Sequence, residues 1–260
     1  MKRRQFIRYA GASLLAAGGA FVPSIGKRAF GQSRGTLTVT GLGHTCFLFV
    51  GGGLRVLVNP FRAIGCTQGY PVPRAEADLV LISSQLFDEG ATEDLPGNPQ
   101  ILFEPGVFEI RNTQFQGIES ERIRDRGRRF STNVAWRWTQ AGVNILHLGG
   151  AAAPIEIEQQ ILMGRPDLAL IPVGGGPKAY RPEEAMQALR ALRPKMVVPT
   201  HYRTRAADPD ACNLVPVETF LQLAGEMPVA RVGSNRLNLS PGNFNREETV
   251  IRVLQYPFNS

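Results

Sequence analysis

At 260 residues, 43% hydrophobic and 20% charged, the chain is long enough for one substantial core and too apolar for a disordered protein. No run approaches the roughly 18 apolar residues of a membrane span. The formal charge of +7 falls to +1 once the six basic residues Lys2, Arg3, Arg4, Arg8, Lys27 and Arg28 are removed, so the basicity belongs to an acid-free leader and nucleic acid is not an expected partner.

That leader runs Lys2-Arg3-Arg4-Gln5-Phe6-Ile7-Arg8, then an apolar Ala/Gly/Leu stretch over Ala10–Val22, then Ala29-Phe30-Gly31 as a small-x-small cleavage site. It resembles a twin-arginine export signal covering residues 1–31, which leaves residues 32–260 as one mature domain with no stable membrane span. The implied partner in export is the twin-arginine translocase. The implied destination is the periplasm or an equivalent extracytoplasmic compartment, the thylakoid lumen included. Cys46, Cys66 and Cys212 show no paired spacing. They allow at most one disulfide, which folding in a reducing cytosol does not require. Cys46, in an apolar run, reads as a small buried hydrophobe.

Past the leader, Leu37–Thr40, Thr45–Val50 and Leu54–Val58 read as short strands, the last two joined by Gly51-Gly52-Gly53. Leu79–Ile82 is a buried strand ending near Asp88 and Glu89. Ile101–Phe103 and Val107–Ile110 are weaker strands around Pro105-Gly106. The charge-dense run Glu119–Arg129 reads as a solvated edge, or alternatively as an anion-facing lip. Asn133–Trp138 and Val143–His147 form a hairpin turning at Ala141-Gly142. Strand and helix then alternate: helix Ile155–Met163 stopping at Gly164, strand Leu168–Val173, helix Pro182–Leu192, strand Met196–Val198, helix Phe220–Leu223 and strand Val250–Leu254. The order predicts an α/β (α+β) fold of two mixed sheets faced by helices.

Gly174-Gly175-Gly176 lacks the ending of a P-loop and the spacing of a dinucleotide fingerprint, and no Gly-x-Ser-x-Gly elbow is present. His44, His147 and His201 are the only histidines, and each lies at the end of a strand-like run. Three at strand ends point to one shared pocket.

Gly41-Leu42-Gly43-His44-Thr45, Leu57-Val58-Asn59-Pro60, Asp78–Ser83, His147-Leu148-Gly149-Gly150, Ile171–Gly176, Glu184-Ala185 and Pro199-Thr200-His201-Tyr202 occur in that order. In this the chain resembles the metallo-β-lactamase superfamily, near its ascorbate-6-phosphate lactonase-like branch. The resemblance implies a four-layer αββα sandwich. It also implies a metal motif, Ser/Thr-His-x-His-x-Asp-His, at a window that here reads Ser83-Ser84-Gln85-Leu86-Phe87-Asp88-Glu89. Ser84 and Leu86 stand at the first two histidines and Glu89 at the last. Gly150 stands where the family has a bridging aspartate, and Asn59 replaces another aspartate.

On that resemblance His147 remains from the first metal site, while Asp88 and His201, with Glu89 as substitute, remain from the second. Two carboxylates and one imidazole suit a single Zn²⁺, Mn²⁺ or Fe²⁺ that would activate water, with Asp88 as the catalytic carboxylate. The other expectation is no metal at all: a non-catalytic, ligand-binding pseudoenzyme that kept the fold. In either case the partner is a small molecule, with His44, Ser84, Gly150 and Tyr202 lining its pocket. As substrates for the mononuclear alternative, lactones, esters or phosphoesters are expected.

Overall fold

The computed structural model describes residues 35–121, 132–208 and 210–259. The expected leader and most of the charged run 119–129 lie outside the described residues.

The first sheet is built from β1 (Leu37–Gly43), β2 (Cys46–Gly51), β3 (Leu54–Val58), β4 (Leu79–Leu81) and β5 (Gln100–Leu102). The second begins with β6 (Gly106–Ile110), β7 (Thr113–Glu121), β8 (Thr132–Gln140) and β9 (Val143–His147). It continues through β10 (Leu168–Pro172) and β11 (Met196–Thr200), with α1 (Ile157–Met163) and α2 (Pro182–Leu192) as intervening helices. After α3 (Val217–Leu221), β12 (Val229–Val232) and β14 (Val250–Leu254) complete the second sheet, and β13 (Arg236–Leu239) returns to the first. The strand orders are β13-β1-β2-β3-β4-β5 and β12-β14-β11-β10-β9-β8-β7-β6. Two sheets with helices make the αββα-type sandwich, and among the described residues the α-helices all follow β9.

Local chemistry explains the elements. β2 and β3 pair antiparallel through Gly52 and Gly53, both at positive φ (59° and 77°), the turn whose twist matches a hairpin. Arg111 and Asn112 do the same between β6 and β7, and Ala141 and Gly142 between β8 and β9. In α2, Pro182 opens the helix, and the Arg181 N–H donates to the Glu184 carboxylate at 2.8 Å. Its Ala185, Met186, Ala188, Leu189 and Leu192 are buried as one stripe. β10 and β11 are buried at every position, as parallel strands covered on both faces must be.

The two sheets are joined by polar as well as apolar contacts. Phe49 packs edge-on against Trp138 with ring centroids 5.0 Å apart. Gln140 Nε2 donates to the carbonyls of Gly51 and Leu54 at 3.0 and 2.9 Å. Trp136 Nε1 donates to the Ile82 carbonyl at 3.1 Å, and the Val134 N–H to the Ser83 carbonyl at 2.9 Å. These last two bonds pin the carboxyl end of β4 against β8. The loop carrying Asp88 and Glu89 therefore leaves from a fixed point.

Candidate functional site

The parallel pairs β3/β4 and β10/β11 end on the same side as a cavity of about 740 Å³, walled by the loops that follow these strands. His44 reaches it from the β1–β2 turn and His201 from the end of β11, both with left-handed backbones (φ 55° and 52°). Such conformations cost about 1–3 kcal/mol each and persist where surrounding structure enforces them. Here the His201 N–H reaches the His44 carbonyl at 3.3 Å, and the two rings lie 4.1 Å apart, centroid to centroid. A Cβ on Gly174 would collide with the His201 carbonyl, and the Gly174 N–H instead donates to that oxygen at 3.0 Å. Close backbone approach, and not a phosphate cradle, explains this glycine.

Asp88 and Glu89 are adjacent in sequence but serve different places. Asp88 faces the cavity, where its Oδ2 accepts from Lys178 Nζ at 2.8 Å. Glu89 is fully buried, with Oε1 3.7 Å from His201 Nδ1, within ion-pair reach but beyond a hydrogen bond. Its carboxylate lies over Gly150. A Cβ built there would meet both Glu89 oxygens at 2.9 Å and the Lys178 carbonyl at 3.0 Å. Gly150 is thus the floor under Glu89, its N–H donating to Asn133 Oδ1 at 2.9 Å. Asn133 also donates to Ser120 Oγ and the Leu148 carbonyl, each at 2.8 Å, fixing the strand end from below.

Three expected site residues take other roles. His147 is completely buried; its Nε2 donates to the Thr45 carbonyl and its Nδ1 accepts the Gly149 N–H, each at 3.0 Å. Both ring nitrogens bond backbone here, at the position where the resemblance implied a metal ligand. Burial drives its pKa down to about 4, with the Thr45 bond opposing, so it is held as a neutral hydrogen-bonder. Tyr202 lines a separate cavity of about 400 Å³ with Tyr256 and Thr204. Ser84 caps a turn, its Oγ accepting from the Leu86 N–H at 3.3 Å, and does not line the main cavity. Asn59, which replaces an aspartate of the family, holds the end of β4, its Oδ1 accepting from the Ser83 N–H at 2.8 Å.

The structure adds residues that the sequence did not single out. Lys178 stands alone in a glycine- and proline-rich loop, and only its pairing with Asp88 marks it. Cys66 and Cys212 form a disulfide in the cavity wall, tying the loop after β3 to the loop after β11. Cys46 is the free, buried thiol, and burial pushes its pKa up.

A divalent metal can be tested against these donors. Among the described residues, no three or more His, Cys, Asp or Glu side chains gather so as to hold an ion. Asp88 already faces an ammonium, Glu89 lies over Gly150, and His147 is committed to backbone. As placed, these residues do not fit the four-donor shell of a resident zinc, of which a catalytic site takes three from protein.

Residues 38–201 match the profile of the Beta-lactamase superfamily domain. Relatives include a UPF0173 metal-dependent hydrolase from Methanoculleus marisnigri, 31% identical over 185 residues, covering 65% of this chain and 82% of that protein. Another, from Thermococcus onnurineus, is 29% identical and covers 71% and 91%. A crystal structure of a metallo-β-lactamase superfamily protein from Thermotoga maritima superposes with a TM-score of 0.67 at 27% identity, covering 84% of this chain and all of that one.

Proposed function

This chain belongs to the beta-lactamase superfamily, and we propose that within it the chain is an exported, ligand-binding member that works without a resident metal. Its relatives are named metal-dependent hydrolases, so a hydrolase ancestry is the background against which this reading departs. The observation that carries it is the Lys178–Asp88 ion pair on the cavity floor. A tethered ammonium 2.8 Å from Asp88 Oδ2 already gives that carboxylate the counter-charge a metal would otherwise supply. Export rests on the leader, with the twin-arginine translocase as partner and the periplasm or an equivalent compartment as destination.

The second reading is a mononuclear hydrolase acting on a lactone, ester or phosphoester through Asp88, Glu89 and His201. What favours it is that Asp88 and His201 line one cavity while Glu89 lies 3.7 Å from His201. Elemental analysis of the full chain folded in the cytosol separates the two. The ligand-binding reading expects metal well below one equivalent and no thermal stabilisation by added Zn²⁺ or Mn²⁺. About one equivalent of transition metal, lost on Asp88→Ala or His201→Ala, would sink it.

A further inference from the structure

The cavity has two chemically distinct halves. One wall is apolar: Ile64 and Phe87 are large hydrophobic residues left 47% and 50% exposed, and Leu86, Leu214 and the Cys66–Cys212 disulfide continue the same surface. The floor is polar, with His44 and His201 beside Asp88 and Lys178. Lys178 pairs with Asp88 at 2.8 Å, so this cation of the lining is already matched to a carboxylate. Asp210 adds a further carboxylate to the lining.

An anionic head entering this floor would meet Asp88 and Asp210 and must draw Lys178 from its carboxylate. A cationic head would meet the Lys178 ammonium itself. Burying a charge without a partner is costly, whereas a neutral hydroxyl or carbonyl can use the pair without breaking it. Lys178 offers a donor to such a head and Asp88 an acceptor. The volume suits a ligand of drug or lipid-fragment size.

We propose that the cavity takes an uncharged amphiphile, its hydrocarbon body along Ile64, Leu86, Phe87 and Leu214 and its hydroxyl- or carbonyl-type head on the Lys178–Asp88 pair. This rests on the ligand-binding reading of the same site. It is tested on the full chain with the neutral fluorescent probe N-phenyl-1-naphthylamine. The probe is displaced by decanol below its solubility limit, or by decanoate, decyl phosphate or decylamine below their critical micelle concentrations. Decanol is expected to displace the probe at concentrations at least about tenfold lower than the three charged compounds. Phe87→Ala and Ile64→Asp, both at well-exposed positions, should weaken probe binding several-fold while leaving the melting temperature unchanged. Failure to bind the probe, a charged compound competing as well as decanol, or unaltered binding in both variants would overturn the proposal. The metal content of the same sample keeps the two readings distinct. Protein carrying a full equivalent of metal that still prefers decanol removes the metal-free reading alone. Metal-free protein that prefers decanoate removes this one alone.

Discussion

Replacing Cys66 and Cys212 together by serine should cost the fold roughly 2–5 kcal/mol. The bridge joins residues 146 apart in sequence. Constraining a loop of that length removes about 17 cal/mol/K of chain entropy from the unfolded state, or about 5 kcal/mol at 25 °C. Residual order in the unfolded chain lowers the realised figure, which sets the range. For a domain of this size the loss corresponds to a fall in Tm of roughly 4–20 °C. Because Cys46 is free and buried, it does not interfere. The assay is guanidinium unfolding followed by fluorescence of Trp136 and Trp138, comparing the oxidised protein with the double variant and fitting each slope separately, since the unfolded chain without the crosslink is more expanded and should give a steeper one. A difference below about 1 kcal/mol would refute the loop-closure argument. So would three titratable thiols in unreduced, unfolded protein.

Three further outcomes follow from the site. Gly150→Ala places a methyl 2.9 Å from both Glu89 oxygens and 3.0 Å from the Lys178 carbonyl and should cost about 1–3 kcal/mol by overpacking; in a Glu89→Ala background the Glu89 share of that cost should vanish while the carbonyl contact remains, and simple additivity in denaturation would contradict the packing. His147, with its pKa depressed to about 4 against an ordinary 6.5, stays neutral in the fold while the unfolded chain takes up a proton. Stability should therefore fall by up to roughly 3 kcal/mol as pH drops from about 6.5 to 4, and His147→Gln should flatten that part of the profile. For Lys178→Met and Asp88→Asn, a double-mutant cycle should return a coupling of about 1 kcal/mol, discounted because Lys178 is 35% exposed. Zero coupling would mean that the pair does not organise the floor.

Much of the architecture was legible because burial writes itself into composition. The runs at β4, β10 and β11 are apolar on both faces, and α2 carries its start and buried stripe in eleven residues. The strands that escaped notice are those whose partners are remote. β13 alternates exposed and buried positions over four residues, and its partner β1 lies some two hundred residues earlier. β7 mixes Gln114, Gln116 and Glu119 with its buried Phe115 and Ile118 without a clean alternation, and it is legible only once β8 is beside it.

The site divides in the same way. His44, His201 and Asp88 could be placed together because each follows a strand that ends on one side. The separate duties of Asp88 and Glu89 could not be read, because adjacent side chains on a loop can point anywhere. Nor could three cysteines without spacing disclose which two would meet, since the pairing depends on loops from opposite ends of the domain.

The seating of Glu89 over Gly150 also bears on how this pocket can change through descent. A new acid at position 150 would arrive where another carboxylate already sits, in a volume with no room for both. Residue 89 must therefore shrink or turn away first, and the Lys178 carbonyl, 3.0 Å from a Cβ there, must give as well before position 150 is open to a side chain. The two positions form an ordered pair of steps, and a lineage that takes them in the other order passes through a protein less stable than either end.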